Sequence, residues 1–205
     1  MHGGGLFVKH DNKQVIKNVA LGLFGQKGYE DTSLAEIAKE VGIKKPSIYN
    51  HFRSKEDLFA EVIEDLIVSE VKAYRMTEEK MNQMEPLKNI RILFDLFCQR
   101  LMTTKEALLW KRVTFFPPEP FKDLIQEQFI HFEEVTTSIL VSVYRAGADQ
   151  GLFQCISEDE FVASFLCLVD GVFLEHHYYT EEIFQQRIES AWKVYALAIS
   201  SRKGE

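Results

Sequence analysis

The chain has 205 residues, 46% hydrophobic and 27% charged, with a formal net charge of −7, which fits one or two globular domains and excludes collagen-like, low-complexity and disordered chains. Its three cysteines, Cys98, Cys155 and Cys167, form no CxxC and no regular spacing, so a disulfide scaffold or zinc ribbon is excluded, no metal or cofactor is expected, and a reducing cytoplasm is the natural home. The opening residues 1–5 lack the apolar core of a secretory leader, and the most apolar stretch, residues 161–174, is too short and too polar, with Asp170 inside, to cross about 30 Å of hydrocarbon, so no membrane partner is expected.

Helical periodicity covers almost the whole chain. Val15, Ile16, Val19, Ala20, Leu23 and Phe24 mark a first helix, stopped by Gly28 as its C′ residue. Leu34, Ile37, Ala38 and Val41 mark a short second one, opened by the capping-box pattern Ser33-x-x-Glu36 and broken by Gly42. A third, shorter still, runs from about 46 to 50, with Pro46 in its first turn. Ser54 can cap a fourth helix, whose apolar face carries Leu58, Phe59, Val62, Ile63, Leu66 and Ile67. Further helices are predicted over about 87–103 and 105–115. Pro117, Pro118 and Pro120 then interrupt the pattern, and Ile125, Phe129, Phe132, Val135, Ile139 and Val143 mark the next helix. Ser157-x-x-Glu160 resembles a capping box before a helix over 158–178, and a last one is predicted over 182–200. No strand pattern of useful length and no internal repeat appears. The expected fold is all-α with about nine helices.

Charge is uneven along this series. Residues 9–55 hold nine Lys and Arg against five Asp and Glu, a net of +4, and the remainder carries −11. A basic N-terminal module on an acidic body is the pattern of a DNA-binding head on a separate partner domain. The three N-terminal helices meet at Ile37-Ala38-Lys39-Glu40-Val41-Gly42-Ile43, which has helix-turn-helix character: Ala38 lets two helices approach, Gly42 permits a positive φ, and Val41 and Ile43 bury the corner. The second helix of such a pair reads bases from its N-terminal end.

Phe24-x-x-x-Gly28-Tyr29, Thr32-Ser33-x-x-x-Ile37-Ala38, Val41-Gly42-Ile43 and Ser47-Ile48-Tyr49-x-His51-Phe52-x-x-Lys55-x-x-Leu58 together resemble the signature of TetR-type transcriptional regulators. The likeness covers residues 15–59 and beyond residue 60 is architectural only. It implies a DNA-binding head over 9–56 and a ligand-binding and dimerisation domain over 57–205. By similarity to that family, Lys45, Ser47 and Asn50 read base edges. Pro46 offers an apolar surface to a thymine methyl, and Lys44 donates to guanine or neutralises phosphate. Tyr49 and His51 donate to phosphates. Lys55 adds to the positive end of the fourth helix, and Thr32 and Ser33 present hydroxyls and free N–H groups at the start of the second. Ala35 puts no long side chain where some members of the family carry a polar one. Lys9, Lys13 and Lys17 share one helix face, read as solvated, with flanking-phosphate contact as the alternative.

The two C-terminal helices stand where the family forms its two-fold interface. Phe161, Phe165, Leu168, Val169, Val172 and Phe173, with Phe184, Ile188, Trp192 and Tyr195 on the last helix, are therefore expected at a homodimer interface. Two reading helices about 34–36 Å apart, or a multiple, can then read a palindromic operator in double-stranded DNA. In the middle of the chain, Phe94, Phe97, Leu101, Trp110, Val113, Phe116, Phe129 and Phe132 are expected to line a chamber for a small lipophilic effector, a packed core being the alternative. Asp95, Asp170, Glu175, His176 and His177 lie in or beside apolar segments. A buried carboxylate there needs a partner, either a cationic ligand or a group such as Arg100, Arg145 or a backbone donor. No GxSxG, P-loop or HExxH is present, so no enzyme is expected. The reading is a repressor released by its ligand. The alternatives are a regulator controlled by a protein partner, or an all-α lipophilic-ligand carrier or enzyme.

Overall fold

The computed structural model describes residues 12–81, 85–176 and 178–200, and the side chains of all of these except 101–103. Among the described residues are nine α-helices and no strand: α1 Asn12–Lys27, α2 Leu34–Val41, α3 Lys45–Ile48, α4 Lys55–Met81, α5 Pro86–Thr103, α6 Lys105–Phe115, α7 Lys122–Asp149, α8 Glu158–Glu175 and α9 Glu181–Ser200. A 3-10 turn, Glu119–Phe121, fills the proline-rich break before α7. No described helix is long and apolar enough to cross a membrane.

Helix ends follow local chemistry. Gly28 takes φ 90° and ends α1, and Gly42 takes φ 80° and ends α2, with its N–H on the Lys39 carbonyl at 3.1 Å and that of Ile43 on Ala38 at 2.9 Å. The capping box before α8 is complete: Ser157 Oγ accepts from the Glu160 N–H at 3.3 Å, and the Glu160 carboxylate accepts from the Ser157 N–H at 2.7 Å. Before α2 only half of the box forms. Ser33 Oγ accepts from the Glu36 N–H at 3.2 Å, while the Glu36 carboxylate turns to the Lys27 ammonium instead. α8 ends three residues short of its expected limit, and α3 is a single turn, because the chain tightens after Ile48 into a turn closed by His51 N–H on the Ile48 carbonyl at 2.9 Å.

The described residues form two compact units that do not follow chain order. The first takes in the chain up to Val68 together with Lys105–Gln128; the second takes in Ser69–Thr104 and the chain from Phe129. In the first unit, the head, Ile16, Ala20, Phe24, Ile37, Ile48, Phe52, Leu58, Phe59 and Ile63 are buried in one core with Leu109 and Val113 of α6. Tyr29, Phe59 and Phe121 stack edge to face or tilted, with centroids 4.6–5.0 Å apart. α1 is clasped to α4 by Lys13 to Glu61 at 2.8 Å and Lys17 to Asp65 at 2.5 Å.

In the second unit, the body, Tyr74, Phe94, Ile139, Leu140, Phe153, Phe161, Phe165, Phe184 and Ile188 are buried. Its tightest contact is at Gly147: a Cβ there would lie 2.1 Å from the Phe153 ring, and Phe153 itself sits at φ 58°. Only glycine lets the ring lie against the α7 backbone.

Candidate nucleic-acid interface

The short helix α3 is held from beneath. Ile48 and Phe52 are 0% and 1% exposed in the head core, and the left-handed Gly42 turn sets the corner from α2. With that face buried, Lys44, Lys45, Pro46, Tyr49 and Asn50 are exposed, and Ser47 and His51 are half-buried. Tyr49 is 51% exposed and is not part of the head core. The expected reading residues are thus exposed or half-buried around α3 and the turn that follows it. Ser33 is exposed at the start of α2, where its hydroxyl accepts from the Glu36 N–H. Lys39 on α2 and Arg53 before α4 are exposed as well. The reading above did not select them, although cationic side chains at polar positions of two helix ends were visible in the sequence.

Two expected DNA contacts are corrected. Thr32 is 1% exposed, and its hydroxyl donates to the Gly28 carbonyl at 2.7 Å and lies 3.3 Å from that of Leu23. It closes the end of α1 and does not face a phosphate. Lys55 reaches back from α4: its ammonium donates to the Tyr29 carbonyl at 2.8 Å, lies 3.4 Å from that of Glu30 and sits 4.1 Å above the Tyr29 ring. It is a strut between α4 and the turn after α1. The same turn is tied by the Tyr29 hydroxyl, which donates to Glu56 at 2.8 Å. Burial first, and then the Glu56 carboxylate, push the Tyr29 phenol well above its ordinary value, while hydrogen bonds from its own backbone N–H, Tyr29 and Ser54 hold Glu56 low. Lys13 and Lys17 are paired with α4 carboxylates, so their face of α1 is a packing surface; Lys9 lies outside the described residues.

The residues expected at a homodimer interface require a larger correction. Phe161, Phe165, Val169, Val172, Phe184, Ile188 and Tyr195 are buried within the body's own core, Phe173 is buried as well, and Leu168 and Trp192 are half-buried and pack against that core. The bulkiest apolar stripe of each helix packs largely inward. Leu174, Ile183, Val194 and Leu197 are 47–68% exposed, and a groove of about 550 Å³ is lined by Leu168, Val172, Phe184 and Ile188 of the expected set together with Cys167, Gly171, Ile183 and Ala191.

The eight residues expected around a ligand chamber are divided. Trp110 and Val113 pack on or in the head core, and Phe116 is 80% exposed. In the body, Phe94 is buried 5.1 Å from Trp192, Phe132 stands edge-on to Tyr74 at 5.2 Å, and Phe97 is half-buried. Phe129 is also half-buried. The Leu101 side chain and His177 lie outside the described residues. Two of the carboxylates flagged near apolar segments have protein partners: Asp95 accepts from Arg91 at 2.8 Å, and Glu175 pairs with Arg187. Asp170, on the exposed side of α8, is raised from its ordinary value by partial desolvation and by the neighbouring Glu133 carboxylate. His176 packs its ring edge against Phe184 at 5.1 Å.

Residues 16–62 match the family model described as bacterial regulatory proteins, tetR family. Over 105 residues the chain is 33% identical to the HTH-type transcriptional regulator AcrR of Shigella flexneri, an alignment covering 51% of this chain and 48% of that protein. Over 53 residues it is 42% identical to the biofilm operon icaADBC HTH-type negative transcriptional regulator IcaR of Staphylococcus epidermidis, covering 26% and 29%. The chain thus spans about half the length of the first of these relatives and less of the second. Among solved structures, a TetR-family transcriptional regulator from Agrobacterium tumefaciens superposes with a TM-score of 0.71 at 21% identity, covering 93% of this chain and 98% of that one.

Proposed function

We propose that this chain, whose residues 16–62 match the tetR-family model, is a TetR-family repressor that binds a palindromic operator as a homodimer and is released by a small lipophilic ligand. The observation that carries the reading is the outward surface of α3: Lys44, Lys45, Pro46, Tyr49 and Asn50 exposed over a buried Ile48 and Phe52. In this reading Lys45, Ser47 and Asn50 meet base edges, Pro46 meets a thymine methyl, and Lys44, Tyr49, His51 and Ser33 meet the backbone, with Lys39 and Arg53 added. One such helix reads too few bases to select a site, and a two-fold pair doubles the contact. The exposed side of α8 and α9 is the surface proposed for pairing. Repression has support from the name of the staphylococcal relative, and a lipophilic effector from the aromatic content of the body.

The test is fluorescence anisotropy of the protein with duplex DNA flanking its own gene against a scrambled duplex, across a salt series. Preference for the flanking duplex is expected. Asn50→Ala should relax selection at one base position, and Lys44→Ala should weaken both duplexes alike and reduce the salt slope by about 1. Equal affinity of the wild-type protein for the two duplexes at every salt concentration overturns the reading.

A further inference from the structure

We infer that Arg112, on α6, is a positioning residue for DNA binding: it fixes the end of α1 and so the place from which α2 and the reading helix start. The inference rests on the DNA-binding reading above. A helix leaves its last four carbonyls without intrahelical donors, and at α1 three of these, with the carbonyls of Gly28, Tyr29 and Glu30 in the following turn, are met by groups from separate places. The Phe24 carbonyl accepts from the Gly28 N–H at 2.9 Å. Thr32 serves Leu23 and Gly28, and Lys55 serves Tyr29 and Glu30. Gly25 and Gln26 are served by one guanidinium: Arg112 Nε donates to the Gly25 carbonyl and Nη2 to the Gln26 carbonyl, each at 3.0 Å. The fork geometry of arginine suits two adjacent carbonyls, and its charge favours a helix C-terminus.

The approach is built into both helices. α1 turns Gly22 and Gly25 towards α6. A Cβ on Gly25 would lie 3.2 Å from the Leu109 backbone nitrogen, and one on Gly22 would touch the Lys105 side chain at 3.6 Å. Leu109 and Val113 are 0% and 1% exposed in the head core, and Arg112 lies between them in sequence, one turn on from Leu109. The fit extends into the turn: at Gly28, φ 90°, a Cβ would stand 3.0 Å from Arg112 Nη1. From Gly28 the chain runs straight to Thr32 and to Ser33, the N-cap of α2. Loosening the carbonyl ends of α1 therefore loosens the start of α2, and α3 follows through the Gly42 turn. Both Arg112 bonds go to backbone, so the residue acts through α1 rather than on DNA.

The experiment compares full-length wild-type protein with Arg112→Ala and Arg112→Lys, using the flanking and scrambled duplexes of the binding assay across the same salt series, with circular dichroism as the folding control. The expected result for Arg112→Ala is an about tenfold loss of preference for the flanking duplex, with affinity for the scrambled duplex and its salt slope unchanged. Arg112→Lys keeps the charge but lacks the fork and should stay closer to Arg112→Ala than to wild type. Wild-type behaviour of either variant overturns the inference. So does an equal loss on both duplexes with a shallower slope, which would make Arg112 a phosphate contact. If Arg112→Ala does not fold, Thr32→Val at the same junction carries the test and should show the same selective loss; an unchanged preference overturns the inference. Failure of the wild-type protein to discriminate overturns the DNA-binding reading itself, and this is seen before any variant is compared.

Discussion

The head and the body both enclose a helical core, but different bonds hold them. The head contains helices of eight and four residues, too short to persist alone. It compensates with discrete devices: two left-handed glycines, the Ser33 cap, the Thr32 and Lys55 contacts on the end of α1, and α6 drawn in from later in the chain. The body uses helices of 18 and 20 residues that bury aromatic stripes against one another. Its polar groups sit at the rim in pairs such as Arg91 with Glu189, at 2.6 Å, and Arg145 with Glu158, at 2.8 Å. Exposed pairs of this kind contribute little individually, so the body's stability lies in its packing. The head depends on individual hydrogen bonds at its helix ends; the body depends on packing, which at Gly147 leaves no room for a Cβ.

The sharpest way to break this contrast is Phe161→Ala. The side chain is 0% exposed, and its loss should cost about 3–5 kcal/mol of unfolding free energy by urea titration, with the same loss at every protein concentration. Val194→Asp, on the exposed side of α9, should leave that value within about 0.5 kcal/mol and weaken self-association by sedimentation. If Phe161→Ala instead dissociates the protein at unchanged stability, the inward placement of the stripe is wrong. Next in size, Thr32→Val should cost about 1–3 kcal/mol, read through Trp110 in a Trp192→Phe background so that only the head is observed. A variant as stable as its parent would remove the junction hydrogen bonds from the account of the head.

The smallest effect sharpens the body's one strong local signal. Ser157→Ala should lower the melting temperature by about 2–4 °C at neutral pH. Hydrogen bonds from the Ser157 N–H and hydroxyl hold the Glu160 carboxyl below its ordinary value of 4.5. That contribution is whole above pH 4.5 and is lost as pH falls through the native value. The gap between wild type and variant should therefore narrow on acidification. A gap independent of pH would leave Glu160 outside the cap.

What was legible in the sequence followed the same division. Gly28, Gly42, Ser157 and the outward residues of α3 were readable because each depends on neighbours within a few positions. Thr32 and Lys55 were misread for the opposite reason. A hydroxyl and an ammonium in a basic head suit phosphate contact until the end of α1 is placed beside them, where backbone carbonyls need the same donors. Arg112 gave no signal at all: its partner Gly25 is 87 residues away, and only the close approach of α6 to a glycine face on α1 joins them. In the body, helical period identified the stripe Phe161, Phe165, Val169 and Val172, but a stripe reveals that it must be covered and not by what.

The sequence by itself therefore determined the all-α class, the glycine and serine stops and starts of several helices, and the short helix pair around Gly42, since these rest on periodicity, capping and backbone freedom that act over a turn or two. Tertiary structure alone decided that α6 completes the head, that Thr32 and Lys55 hold the frame rather than face outward, and that the aromatic stripes of α8 and α9 belong to the chain's own core. These depend on which surfaces meet, and burial and hydrogen-bond satisfaction are properties of the assembled fold, not of any one segment.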